Sequence, residues 1–369
     1  MTNARVLKLV LGVASALLAL VAAFAITSLV LIIAGDPVGE VWKTILRFPE
    51  PRNRANIINN ATVLYLSGLA VAVGFRMNLF NIGVDGQYRI AAFTAAVVAG
   101  EGWLPGYLNT ALAVLAAILV GAAWAGIAGI LRATRGVSEV ISTIMLNFIA
   151  TSIVAYLLRE VAVREKGSNN IGTKIIPEGS RIPSFSIGDG PGTEVYGFVF
   201  IAILAGFLFW FVLNRTRFGF DLRATGQSQT AAVASGISVK RMTVIAMLIS
   251  GGIAGLVGLP ILFGDAYSYG STFQSGLGFA GIAIALLGRN NPIGIALGAL
   301  LFAFLDEQSN PLQILVGVAP EIVAITQGVI VLTVVISYEL VRRYGVRLEQ
   351  REVARALARP TDKTEEVPA

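Results

Sequence analysis

Long apolar runs alternate with short polar breaks along almost the whole chain. The apolar runs are Leu9–Ala34, Ile57–Phe75, Tyr107–Leu131, Glu139–Leu158, Gly197–Leu213, Met242–Phe263, Pro292–Leu305 and Glu321–Leu340. A helix needs about 20 apolar residues to cross the ~30 Å hydrocarbon layer of a bilayer, so these runs predict membrane-spanning helices. Two more runs are short. Gly86–Gly100 has 15 residues and Gly276–Gly288 has 13, about 22 Å and about 20 Å of helix. Each can span only if the polar sequence before it, Gly74–Asp85 or Gly264–Ser275, also lies at membrane depth. Irregular backbone is tolerated there only under a cover of protein or beside a water-filled cavity. The pattern predicts an all-α polytopic membrane protein of about ten transmembrane helices, some short or discontinuous.

The breaks organise the rest. Asp36–Asn60, with Pro37, Pro49 and Pro51, reads as a polar external connector, and Arg159–Tyr196 as a long external loop without period. Asn214–Arg241 is a basic island between two apolar helices, and residues 342–369 form a charged tail behind a membrane domain of residues 1–341. Ala23-Phe24-Ala25 after the basic Arg5 and Lys8 resembles a signal-peptidase site. Ile26–Ile33 stays apolar beyond it, so an uncleaved first span is expected.

Composition agrees with the pattern. The 369 residues are 55% hydrophobic and only 14% charged, with a mean hydropathy of +0.75; a soluble domain carries about 25% charge. The net charge of +6 lies in inter-helix breaks and the tail, which is orientation chemistry and excludes a nucleic-acid face. Eighteen of the 28 lysines and arginines fall at the two ends and in the island and its companion breaks, and nine in the two external connectors. Both termini and the island are therefore expected on the cytoplasmic side. Cysteine and histidine are absent, which removes disulfides, thiol and imidazole catalysis and the usual zinc, copper and haem ligands.

Candidate chemistry is sparse. Within the island, short helices are expected around Asp221–Gly226 and over Ser228–Ser235, with Gln227 or Ser228 as N-cap and Gly236 as terminator. Asp85 and Arg89 stand four apart and either neutralise each other on one helix face or meet a ligand. Asn147, midway along its span, either bonds another helix or faces a pathway. Tyr267, Tyr269 and Phe273 either anchor at the interface or meet a substrate or partner. Glycines at helical spacing (Gly121, Gly126 and Gly129; Gly251, Gly255 and Gly258) predict close helix packing. No lysine follows a glycine, so there is no GxxxxGK(S/T), and no GxSxG or HExxH is present. One short, interrupted segment falls in each half, which points to a transport pathway between two pseudo-repeated halves.

Four runs carry a resemblance. Phe80–Gln87 (FNIGVDGQ) and Arg223–Ile237 (RATGQSQTAAVASGI) resemble signatures of permease subunits of ATP-binding-cassette importers of the branched-chain amino acid, simple sugar and nucleoside class. Glu139–Asn147 (EVISTIMLN) and Ala285–Gly294 (ALLGRNNPIG) are similar to its nucleoside branch, with Ser138 where that branch has Asn. The matches spread from about Asn56 to Leu340.

The resemblance implies a nucleoside permease, with a simple-sugar permease as alternative; apart from the resemblance, an ion-coupled carrier with Asp85 as its titratable group is a more distant reading. It implies an ATPase-docking element of Arg223, Ala224, Gly226, Ala231, Ala232, Gly236 and Ile237. It places Phe80, Asn81, Gly83, Asp85, Gly86 and Gln87, with Asn147, along the translocation pathway. The implied partners are a second permease chain, an ATPase with two nucleotide-binding domains and an external substrate-binding lipoprotein. ATP and Mg would be bound by the ATPase, with no cofactor in this chain, and the setting would be the bacterial cytoplasmic membrane.

Overall fold

Helix boundaries follow local chemistry. The computed structural model describes residue 18 and residues 20–164 and 171–357; the basic start, the opening of the first apolar run and the end of the charged tail lie outside the described residues. The helices are α1 (Leu20–Ala34), α2 (Val38–Ile45), α3 (Pro51–Phe75), α4 (Val84–Glu101), α5 (Tyr107–Arg135), α6 (Glu139–Val161), α7 (Phe198–Arg215), α8 (Arg217–Gln227), α9 (Gln229–Ala234) and α10 (Val239–Ala254). After them come α11 (Leu259–Ile261), which runs into a π-helical turn at Leu262–Ala266, then α12 (Leu277–Leu287), α13 (Pro292–Glu307), α14 (Ser309–Pro311) and α15 (Glu321–Leu357). Among the described residues, six helices are long and apolar enough to cross a membrane, while α1 and α12 are shorter apolar helices.

The two connectors hold more regular structure than expected. The connector Asp36–Asn60 contains α2, and α3 already begins at Pro51, because proline suits the first turn of a helix. The loop Arg159–Tyr196 holds two antiparallel ladders, β1 (Val163–Arg164) with β2 (Ile171–Gly172) and β3 (Ser184–Ser186) with β4 (Glu194–Tyr196), so the fold is mostly rather than wholly helical. α15 runs without interruption from the last span through Leu357.

The chain divides into two compact units, Met1–Trp42 with Val318–Ala369, and Lys43–Gly317. In the first, the Trp42 indole donates to Ser28 Oγ at 2.9 Å and its ring lies 4.5 Å from that of Phe24.

The second unit is built around α3, 83% of whose most apolar window is buried. α3 packs against α7, α10, α12 and α13. α5, α6 and α7 are only 28–33% buried in their apolar windows, as suits helices that face hydrocarbon. α5 runs along α10, and small residues set their separation: a Cβ on Gly121 would stand 2.3 Å from Gly251 O, and one on Gly255 2.3 Å from Ala117 O. The backbones therefore touch, as the glycine spacing predicts.

Asn59, buried in α3, donates to Glu194 O and accepts from the Tyr196 N–H, both at 2.9 Å. It thereby fastens β4 to the helix. Replacing Asn59 with Ala is expected to lower stability by about 1 kcal/mol and to raise protease sensitivity within residues 184–196, as limited proteolysis of the purified protein would show.

Candidate translocation pathway and coupling element

The segment between α3 and α4 is an ordered, non-helical reversal. Met77 and Leu79 both donate to Gly74 O at 2.9 Å, and Asn78 takes a left-handed backbone with φ 55°. Phe80 is half exposed, with its ring edge-on to Phe75 at 5.1 Å. Its N–H points to Glu139 Oε1 at 3.5 Å, and the buried Glu139 pairs with Arg132 at 3.3 Å.

Asn81 is fully buried and satisfied on every side. Its amide exchanges two 2.9 Å hydrogen bonds with the Gln87 amide, donates to Ser250 Oγ at 2.8 Å and accepts from the Gly83 N–H at 3.0 Å. Ser250 donates onward to Ala70 O at 2.6 Å. Gly83 and Gly86 are small for a packing reason: a Cβ on Gly86 would lie 2.8 Å from the Asn147 backbone, and one on Gly83 2.7 Å from Gln87 Nε2.

Asn147 of α6 closes the start of α4. Its Oδ1 accepts from the Gly86 N–H at 2.8 Å, and its Nδ2 donates to Ile82 O at 2.9 Å. The first-turn N–H groups of a helix have no partner within it, so the amide supplies one from outside. Asn147 thus bonds one helix to the start of another.

Asp85 does not pair with Arg89. Its Oδ1 accepts from the N–H groups of Gly276 at 2.9 Å and Gly278 at 3.4 Å. The carboxylate thus sits at the N-terminus of α12, where free N–H groups and the helix dipole both favour an anion. Gly276 takes φ 86° to open that helix, and a Cβ on Gly278 would stand 2.3 Å from Asp85 N. Tyr88 adds a second staple, donating to Gln274 O at 2.7 Å. The two short, interrupted helices therefore meet start to start, joined by Asp85. Arg89 turns away and donates to Thr151 Oγ1 at 2.9 Å.

The basic island forms two helices, as expected, and α8 extends to Arg217. Ser228 caps α9, its Oγ accepting from the Ala231 N–H at 3.3 Å. α9 ends as glycine-terminated helices do: Gly236 has φ 81°, Ile237 N–H donates to Ala232 O at 2.9 Å and Gly236 N–H to Val233 O at 3.0 Å. Ala232 is buried, Ala224 and Ile237 are half-buried, and Ala231 is exposed. A Cβ on Gly226 would stand 2.4 Å from Arg76 O, and Asn78 Nδ2 donates to Gly226 O. The C-terminal end of α8 thus rests directly on the turn that opens the FNIG segment.

Two arginines converge at that joint. Arg76 donates to Asn290 O at 2.7 Å, which ties the turn to the RNNP loop. Burial first, and the neighbouring Arg223 second, draw the Arg76 guanidinium below its ordinary pKa. Arg76 Nε and Arg223 Nη1 are buried without a hydrogen-bond partner.

The sequence signatures therefore fall into two connected clusters: the pathway candidates Phe80–Gln87 with Asn147, and the island with Arg223 and Gly226 against their near end. Asn78, Ser250 and Arg76 were not singled out from sequence. Asn78 alone carried a signal, as a turn-forming residue just before the FNIG run.

The arrangement defines a class: a multi-pass helical membrane protein with a polar, interrupted layer inside it and a polar helical element resting on that layer's edge. Residues 53–336 match the family described as branched-chain amino acid transport system / permease component, and the chain belongs to that family. It is 36% identical over 330 residues to the guanosine ABC transporter permease protein NupP of Bacillus subtilis, spanning 88% of this chain and 93% of that protein. It is 33% identical to the nucleoside ABC transporter permease protein NupB of Lactococcus lactis over 74% of this chain and 77% of that protein. It is 31% identical to the glucose ABC transporter permease protein TsgB13 of Haloferax volcanii over 80% of this chain and 79% of that protein.

Proposed function

We propose that this chain is the membrane permease subunit of an ATP-driven importer that passes a nucleoside from an external binding protein to the cytoplasm. The observation that carries this reading is the contact of Gly226 with Arg76 and Asn78. It makes a continuous path from a surface element, through the FNIG turn, to the junction of α4 and α12 at Asp85. In this reading α8 and α9 dock on a separate ATPase, which binds ATP and Mg, and closure of its two nucleotide-binding domains moves the FNIG turn. The docking face comprises Arg223, Ala224, Gly226, Ala231, Ala232, Gly236 and Ile237. Phe80, Asn81, Gly83, Asp85, Gly86, Gln87 and Asn147 build the pathway wall.

The same reading places about ten spans in two pseudo-repeated halves in a bacterial cytoplasmic membrane, with both termini and residues 214–241 inside and residues 159–196 outside. A second permease chain and a substrate-binding lipoprotein complete the complex. Nucleoside transport by two relatives supports the cargo assignment. The glucose permease relative supports a simple-sugar importer as the second reading. An ion-coupled carrier needs a titratable relay, and Asp85 already holds two backbone N–H groups.

Reconstitution tests the proposal. Guanosine should accumulate in liposomes only when this chain is accompanied by the ATPase, the second permease and the binding protein, with ATP supplied. Accumulation driven by this chain alone would overturn it.

A further inference from the structure

A cavity of about 590 Å³ opens beside α4 and α6, lined by Arg89, Thr151, Tyr269, Ser271 and Phe273 among mostly apolar neighbours. That volume lies within the range of about 300–1,000 Å³ typical of small-molecule sites. Its second charged residue is Arg159, and none of its lining residues is acidic. Tyr269 and Phe273 stack at 4.5 Å with their planes 24° apart, and Phe93 braces Tyr269 edge-on at 5.7 Å. The platform is thus fixed from behind. Thr173 holds its backbone as well: Tyr269 N–H donates to Thr173 Oγ1 at 3.0 Å, and Thr173 N–H to Tyr269 O at 2.9 Å. Burial pushes the Tyr269 phenol up to about 12, with Arg89 acting against the shift and Asp85 with it, so the ring is neutral at physiological pH.

Arg89 is the unusual member. Its Nη1 donates to Thr151 Oγ1 and its Nε is buried without a partner. The Asp85 carboxylate, four residues away on the same helix, is engaged by Gly276 and Gly278. A guanidinium with a donor to spare, beside a braced aromatic face, suits a flat ring that carries two adjacent acceptors on one edge. The O6/N7 edge of a 6-oxopurine meets a guanidinium fork in that way, whereas the same edge of adenine sets the N6 donor beside N7. Aromatic faces take bases of any kind by stacking, so the fork and not the platform would discriminate.

We propose that this cavity is a transient site for a 6-oxopurine nucleoside, with Arg89 on the O6/N7 edge and Tyr269 and Phe273 against the ring. The assignment rests on the nucleoside-importer reading and deepens it.

The test uses the complete complex in liposomes, with uptake of labelled guanosine and adenosine. Arg89→Lys keeps the charge and removes the fork. The guanosine-to-adenosine uptake ratio should fall about tenfold while co-purification of the ATPase and thermal stability hold. Ser271 is exposed, so Ser271→Trp should fold and fill the cavity, lowering uptake of both nucleosides at least tenfold. An unchanged ratio in Arg89→Lys, or wild-type uptake in Ser271→Trp, overturns the site while leaving the importer intact. Preference of the wild-type complex for guanosine monophosphate over guanosine would make this an anion site and equally overturn it. A wild-type complex that imports glucose and no nucleoside removes the cargo reading itself, a result distinct from the others.

Discussion

Replacing Arg223 with Glu should abolish co-purification of the ATPase while leaving the permease folded. In the free chain Arg223 stands near another cation, Arg76, and the two repel across a half-buried joint. Charge reversal converts that repulsion into attraction, so the thermal midpoint of the isolated permease should hold or rise. In the proposed complex with an ATPase the balance is expected to reverse. Arg76 Nε and Arg223 Nη1 are buried donors without partners, and in the proposed complex a carboxylate of the ATPase would approach them. Truncating one member of a buried charge pair at an interface typically costs about 2–5 kcal/mol, and reversal adds repulsion to that loss. Pull-down of the ATPase together with a melting curve separates the two effects. Normal nucleoside uptake by the variant complex would remove Arg223 from the docking role.

The second large effect is expected at Asp85. Asp85→Ala leaves the Gly276 and Gly278 N–H groups without their acceptor inside the protein and removes the anion from the start of α12. Unsatisfied buried donors cost about 1–3 kcal/mol, and the lost interaction with the helix terminus adds up to about 1 kcal/mol. A total near 3 kcal/mol is expected in chemical unfolding of the detergent-solubilised protein, with uptake lost. Asp85→Asn retains an acceptor oxygen and loses only the charge, so its cost should stay near 1 kcal/mol. Equal destabilisation by the two substitutions would show that the hydrogen bonds from the α12 start contribute nothing.

What was legible in the sequence divides by range. The caps of the island were visible because capping chemistry is local: Ser228 accepts from a residue three positions on, and Gly236 ends α9 through its own φ. The glycines of α5 and α10 could be read because small residues at helical spacing mean close approach whatever the neighbour. The partner of Asp85 was not legible. Spacing offered Arg89 four residues away or a ligand, yet the carboxylate reaches Gly276 across 191 positions, where the open start of a second helix offers two N–H groups. The joint of Gly226 with Arg76 was hidden for the same reason, since a glycine says that something comes near without saying what. Tyr269 and Phe273 stood out as aromatics in a polar stretch, but only the fold sets them beside Arg89.

The interlocked backbones of α5 and α10 restrict how the molecule can move. With Gly121 against Gly251 O and Gly255 against Ala117 O, a sliding stroke of one helix along the other would drive side chains into carbonyl oxygens. Pistoning is therefore barred, and the two helices must swing as one plank. α10 opens at Val239, within the basic island, so in the proposed coupling a torque applied at α9 would turn both helices together.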